Sequence, residues 1–434
     1  MVRDGVVNYR GGHQVALLTG GDELFPQLVA AIDAARESVW LATYIFNDDA
    51  SGHRVVQALS DAAQRGVAVH VLVDGFGSMA WLPLLQPLLG QGGVQFEVFR
   101  PLDRWWSWLQ PQQLRRLHQK LCAVDGHTGF VGGINIIDDR YDMNHGWSEQ
   151  PRLDFAVELR GPVAQEIEQV VRSLWLRAHL GRGWRAELRG LAGSPRPVRG
   201  TLRLLHQLRP VAGQGLPLAR PWRGVGGLSR HADAVSASLA ALPPVRAALV
   251  VRDNLRQRRA IERSYIQAIG RAQRNIDIAC PYFYPGVRFR RALERAAGRG
   301  VAVRLLLQGK VDYRFAALAA RVLYDSLLGR GIRIYEYTPA FLHAKVAVVD
   351  GQWATVGSSN IDPLSLLLNL EANAVVQDAA FVQTLSQRLD EAFAVSLEVD
   401  APPIQRGWRG LLVRGLVAWV ANTYLKVAGI TGRY

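Results

Sequence analysis

A single pattern occurs twice in this 434-residue chain with every interval kept: His118-x-Lys120-x4-Asp125-x6-Gly132-Gly133-x-Asn135 and His343-x-Lys345-x4-Asp350-x6-Gly357-Ser358-x-Asn360. The surroundings repeat as well. Residues 38–46 and 276–284 read as buried strands and residues 55–65 and 287–299 as helices, while Gly66-Val67-Ala68-Val69 and Gly300-Val301-Ala302-Val303 match residue for residue. Self-similarity of this kind marks an internal duplication. The β-α-β order predicts an α/β fold, and two like lobes about a pseudo-two-fold axis would bring both motifs to one shared cleft.

On a strand, residues two apart leave by the same face, so His343 and Lys345 share one side while Leu342, Ala344 and Val346 take the other. Asp350-Gly351 ends that strand in a turn, and Gly357-Ser358-Ser359-Asn360 returns as a donor-rich bend beside the imidazole. Such a combination is a site for an anion. Cleaving a phosphodiester requires neutralised non-bridging oxygens, a nucleophile and a proton for the leaving oxygen. Lys120, Lys345, Asn135, Ser358 and Asn360 can hold the oxygens, and the two histidines can supply the rest. One histidine must attack while neutral and the other must donate a proton, so each needs its own surroundings. Asp154 and Glu371 are carboxylates inside apolar strand-like runs, a costly placement without a partner. Asp125 and Asp350 are counted with the catalytic set as orienting residues at the turns. No cluster has metal-ligand spacing, and neither a metal nor a cofactor is predicted.

With these residues the chain resembles the phospholipase D superfamily, whose two-lobed members carry the motif twice. The resemblance implies two duplicated phospholipase D-like α/β/α lobes related by a pseudo-two-fold axis. It implies that His118 forms a phosphohistidine while His343 protonates the departing alcohol and later activates the acceptor; the residues themselves also allow the reverse. By the same resemblance Asp154 orients His118 and Glu371 orients His343. The run from Gly357 to Asn373, with Gly-Gly-x-Asn in the first motif, is similar to bacterial cardiolipin synthases, closest to the type B enzymes, which lack the two amino-terminal transmembrane helices of type A. That implies transfer of a phosphatidyl group from one phosphatidylglycerol to another with release of glycerol. A phospholipase D hydrolase would share every catalytic residue, and a nuclease of the superfamily is the third reading.

Composition narrows the partners. With 49% hydrophobic and 20% charged residues the chain is globular, and its net charge of +14 favours an anionic partner. Arginine supplies nearly all of the positive charge, the only lysines being Lys120, Lys310, Lys345 and Lys426. Lysine in both motifs therefore suggests a need for a compact, rotatable ammonium. Cys122 and Cys280 lie in apolar runs and read as buried thiols. No apolar leader follows Met1, which predicts a peripheral protein on the cytoplasmic side of the inner membrane.

Several aromatic residues read as lipid contacts: Tyr44, Phe46, Tyr282 and Tyr284 at the carboxyl ends of the duplicated strands, and Trp105, Trp106 and Trp108 beside Arg104. With these, the expected partners are phosphatidylglycerol and a membrane surface rather than nucleic acid. The predicted division is a first lobe over 1–180, an Arg/Gly/Pro-rich linker over 181–246, a second lobe over 247–400 and an amphipathic membrane-surface segment over 401–434.

Overall fold

The computed structural model describes residues 7–101, 115–143, 145–192, 245–253, 257–310 and 314–400. Trp105, Trp106, Trp108 and the 401–434 segment lie outside the described residues. The first half runs β1 (Arg10–Thr19), α1 (Gly20–Asp33), β2 (Ser38–Thr43), α2 (Ala50–Gln64), β3 (Ala68–Asp74), α3 (Leu82–Gln91), β4 (Gln95–Phe99), β5 (Leu121–Val124), β6 (Thr128–Gly132), the short pair β7 (Tyr141–Asp142) and β8 (Gly146–Trp147), β9 (Phe155–Arg160) and α4 (Pro162–Ala192). The second half runs β10 (Val245–Arg252), α5 (Ala260–Arg271), β11 (Asn275–Ala279), α6 (Val287–Gly298), β12 (Ala302–Gln308), α7 (Arg314–Leu328), β13 (Arg333–Tyr337), β14 (Val346–Val349), β15 (Trp353–Gly357), α8 (Pro363–Leu367), β16 (Glu371–Gln377), α9 (Ala379–Ala394) and β17 (Leu397–Glu398).

Fifteen strands form one sheet in the order β17-β13-β12-β11-β14-β15-β16-β10-β1-β9-β6-β5-β2-β3-β4. Read outward from the β10–β1 seam, the two halves present the same order over seven strands, with β17 added at the outer edge of the second, as a duplication about an axis at that seam requires. The seam is an antiparallel ladder with Arg10 opposite Ala247 and His13 opposite Val245. One buried cluster joins the halves: Phe155, Val157, Ile167 and Leu174 of the first pack in a common core with Leu249, Val346, Phe381 and Leu385 of the second. Each fully buried aliphatic side chain contributes about 1.5–3 kcal/mol, so this core holds the halves as one body. Two further clusters fill the opposite faces, under α1 and α2 in the first half and under α5 and α6 in the second.

Local chemistry accounts for the element ends. Asp49 caps α2, its Oδ1 accepting from Gly52 N at 2.9 Å, and Asp378 caps α9 through Phe381 N at 2.8 Å. The predicted strands 38–46 and 276–284 stop at Thr43 and Ala279. Beyond them Phe46 and Phe283 make single bridges to Ile136 and Ile361, which turns the chain across the top of the sheet. Helix α4 continues to Ala192, well into the stretch expected to be linker. Among the described residues no helix is long and apolar enough to cross a membrane.

Candidate active site

Both His-x-Lys pairs sit in extended chain just before β5 and β14, where the sheet edge meets the partner half. His118 N donates to Leu370 O at 3.0 Å and Leu370 N to Arg116 O at 2.9 Å; His343 N donates to Leu153 O at 2.8 Å and Leu153 N to Phe341 O at 2.9 Å. Leu117 therefore pairs with Leu370 and Leu342 with Leu153. Each of these leucines precedes a functional side chain, so the pairing lays each imidazole beside the carboxylate of the other half. His118 Nδ1 lies 3.0 Å from Glu371 Oε2 and 3.1 Å from Ser358 O, and His343 Nδ1 lies 2.6 Å from Asp154 Oδ2.

This corrects the expected pairing of Asp154 with His118 and Glu371 with His343. The carboxylates do accompany the histidines, but crosswise, because β9 and β16 lie on the seam side of each half and their leading residues bond across the axis. With Nδ1 donating to a carboxylate, Nε2 of each ring is left as the unprotonated nitrogen.

The lysines are buried, Lys120 at 6% exposed and Lys345 at 1%. Lys120 Nζ donates to His118 O at 2.8 Å and Lys345 Nζ to His343 O, which folds each ammonium back beside its own histidine. Burial pushes Lys120 down to about 7, with Glu371 opposing and Lys345 adding to the fall; burial pushes Lys345 down to about 8. Burial raises Asp154 to about 7 against the pull of Lys345. Burial also lowers both imidazoles, and His343 is lowered further by Lys345, Arg152, Lys120 and His118. The site gathers two lysines, two histidines and two carboxylates in one buried cluster.

Asn135 and Asn360, the last residues of the two motifs, are buried at 3% and 6% exposed. The Asn135 side-chain oxygen accepts from Ile45 N at 3.2 Å, and that of Asn360 lies 4.0 Å from the Cys280 thiol. Both carboxamides thereby keep an NH2 group as donor. Ser358 is different. It is fully buried, its hydroxyl donates to Glu371 Oε2 at 2.5 Å and accepts from Ala372 N at 3.1 Å. The expectation that Ser358 grips phosphate is overturned, because its one proton is committed to the carboxylate that holds His118. Gly133, its counterpart, lies against Asp154, where an added Cβ would come within 2.3 Å of Oδ1.

Asp125 and Asp350 also depart from the expected catalytic set. Each adopts positive φ, 50° and 54°, followed by Gly126 and Gly351 at 65° and 67°, the double left-handed turn that Asp-Gly favours. Asp125 accepts from Arg36, Glu37 and Ser38 N, and Asp350 from Gln273, Arg274 and Asn275 N, all at 2.8–3.0 Å. Lys120 and Asp125 are five residues apart along β5, about 17 Å at about 3.3 Å per residue. These aspartates pin the opposite end of the sheet.

Of the aromatic candidates, Tyr44 reaches the site, its ring 5.0 Å from His118 and 5.3 Å from Lys120 Nζ. Tyr282 and Tyr284 are half-buried beyond β11, whereas Phe46 is wholly inside the core and is not a lipid contact. The sequence reading missed Asp74 and Gln308, the matching last residues of β3 and β12. Asp74 Oδ2 accepts from Leu117 N at 2.8 Å, and Gln308 Oε1 accepts from Leu342 N at 2.7 Å. Asp74 also binds Arg116 in a buried ion pair at 2.6 Å. Their equivalent position after Gly66-Val67-Ala68-Val69 and Gly300-Val301-Ala302-Val303 was the available signal. Buried Cys122 and Cys280 are free thiols, pushed by burial up to about 12. Among the described residues no His, Cys, Asp and Glu cluster could hold a metal ion.

Fold and site define a two-lobed phospholipase D-like protein, with one motif from each lobe contributing to a single centre. The family described as "Cardiolipin synthase, PLD-like domain" matches residues 28–175 and 265–393. Cardiolipin synthase B of Salmonella typhi is 36% identical over 383 residues, 88% of this chain and 80% of that protein. Cardiolipin synthase B of Escherichia coli K12 is 35% identical over 408 residues, 93% and 86% of the two chains. The crystal structure of phosphatidylserine synthase from Haemophilus influenzae Rd KW20 superposes with a TM-score of 0.65 at 13% identity over 98% of this chain and 97% of that one, a likeness of fold. The chain belongs to the cardiolipin synthase family of phospholipase D-like phosphatidyltransferases.

Proposed function

We propose that this protein makes cardiolipin from two phosphatidylglycerol molecules, releasing glycerol, as a peripheral protein at the cytoplasmic face of the membrane. The observation that carries the reading is the crossed His–carboxylate pairing about one buried pair of lysines. Its chemistry is a double displacement. Lys120, Lys345, Asn135 and Asn360 hold the non-bridging oxygens of the first lipid. Nε2 of His118 attacks phosphorus, the bond to the glycerol headgroup breaks, and His343 gives its proton to the departing oxygen. The glycerol headgroup of a second phosphatidylglycerol then loses a proton to His343 and attacks the phosphohistidine. The N–P bond breaks, and cardiolipin leaves with His118 restored.

The division of roles is supported by the second pair. Asp154, raised to about 7 and 2.6 Å from His343, is suited to share a proton with that ring. His118 instead faces a carboxylate tied down by Ser358. An incoming phosphate places negative charge beside His343 and raises it towards its protonated form.

Purified protein given phosphatidylglycerol vesicles should yield cardiolipin and glycerol in equal amounts. Phosphatidic acid as the main lipid product would assign a hydrolase instead, and cleavage of DNA with no lipid product a nuclease. His118→Ala and His343→Ala should each lower turnover by at least about a thousandfold, the scale of a lost nucleophile or general acid.

A further inference from the structure

Six of the large hydrophobic side chains that stand 44–69% exposed come from two short segments: Phe76, Met79, Leu84 and Leu88 from one, Met143 and Trp147 from the other. The first segment lies in a stretch, residues 75–96, with no charged residue at all in a chain of net charge +14. Helix α3 within it is apolar on two sides. Leu85 and Leu89 are buried against the core while Leu84 and Leu88, one turn apart, face outward. Apart from Gln86 and Gln91 the helix is uncharged and apolar on its outer as well as its inner side, and an apolar helix face is ordinarily buried, so the outer face of α3 calls for an apolar environment.

Both segments are tied to the catalytic centre at equivalent points. The Phe76 ring lies 5.8 Å from the guanidinium of Arg116, two residues before His118. The ring of His145, in the turn between β7 and β8, lies 5.1 Å from that of Phe341, two residues before His343, at a tilt of 42°. The exposed groups therefore stand on either side of the cleft mouth. Exposed Lys310, 6.0 Å from the Phe341 ring, adds positive charge at the same rim. Arg100 Nη1 donates to Arg115 O at 3.2 Å, and Gly75 packs on Arg100 and Pro101.

We propose that these two segments are the face on which the protein seats on an anionic phospholipid bilayer, with the outer side of α3 and Trp147 entering the headgroup and acyl boundary. The proposal rests on the phospholipid substrate read above. A diacyl lipid must present its phosphate to the cleft without leaving the bilayer, so the mouth has to lie at the membrane surface. An apolar rim, uncharged over residues 75–96 and with Asp142 paired to His145 on the other segment, together with Lys310 beside it matches such a surface in both polarity and charge. It does not match a solvated one.

The test is flotation of the full chain with phosphatidylglycerol-rich vesicles, comparing wild type with Leu84→Glu/Leu88→Glu and with Trp147→Ala. The double variant should lose about tenfold or more in vesicle partitioning and Trp147→Ala a smaller factor. Both should turn over a short-chain, freely dissolved phosphatidylglycerol at the wild-type rate. Unchanged vesicle binding in the double variant would overturn the proposal. So would a wild-type dimer in lipid-free gel filtration that the double variant dissolves, since a second copy would then cover the face. If wild type binds vesicles through this face yet does not act on the short-chain lipid, the proposed activity fails while the surface stands.

Discussion

At the residue scale, the two half-sites are alike in plan and unlike in support. Glu371 is held by the Ser358 hydroxyl, whereas Asp154 lies over Gly133 with Phe155 N donating to its Oδ1 at 2.8 Å. Ser358→Ala removes one strong bond from a buried carboxylate and should lower kcat by about tenfold while the chain stays folded. Gly133→Ala forces a Cβ onto Asp154 and should cost more in both activity and thermal stability, with the loss traced to His343 by its altered pH profile. Asp125→Asn and Asp350→Asn, by contrast, should lower the unfolding temperature, each losing part of a three-amide grip worth about 1–3 kcal/mol. Their kcat/KM should stay close to wild type, and a large loss would return these residues to the catalytic set.

The pH dependence follows from the same groups. Above about 7 and about 8, Lys120 and Lys345 lose their charge and with it their hold on a phosphate. Below about 7 Asp154 takes up a proton and no longer accepts from His343 as an anion. The free enzyme should therefore show kcat/KM falling on both sides of neutrality. Bound phosphate stabilises the ammonium forms, so the alkaline fall in kcat should lie at higher pH than that in kcat/KM. A profile flat to strongly alkaline pH would contradict the buried-lysine account.

At the scale of elements, strand ends set the catalytic backbone. Asp74 closes β3 and Gln308 closes β12, and each takes the amide of the leucine that precedes a catalytic histidine. The first half uses an ion pair for this and the second a neutral carboxamide. Asp74→Ala leaves the Arg116 guanidinium buried without its partner and should destabilise by about 3–5 kcal/mol, read by chemical denaturation. The weaker loss at Gln308→Ala, where no charge is stranded, would distinguish the two by size. Helix α4 runs past Leu180 to Ala192: arginine is a good helix former, so an arginine-rich stretch does not by itself break a helix.

At the scale of the molecule, neither half owns a complete centre. The β1–β10 ladder and the core common to both halves bring each histidine to a carboxylate more than 180 residues away in the chain, as the 189-residue separation of Asp154 and His343 shows. Fragments 1–192 and 245–434 expressed singly should be inactive, and co-expressed they should recover activity if the ladder and core suffice to join them. Activity in a single fragment would remove the shared centre.

The duplication, the anion-binding character of the doubled motif and the family were legible in the sequence, because spacing along a strand fixes which side chains share a face. The two carboxylates were legible too, as charges that an apolar strand tolerates only with a partner. Which histidine each one serves was not. That depends on the hydrogen bonds of Leu370 to Arg116 and His118 and of Leu153 to Phe341 and His343 across the seam, and no local pattern encodes a contact between halves. The same holds for Ser358 and for the turn aspartates: their residue type announces a polar role, but only the packed chain decides whether the polar atom meets substrate, a neighbouring carboxylate or a backbone amide.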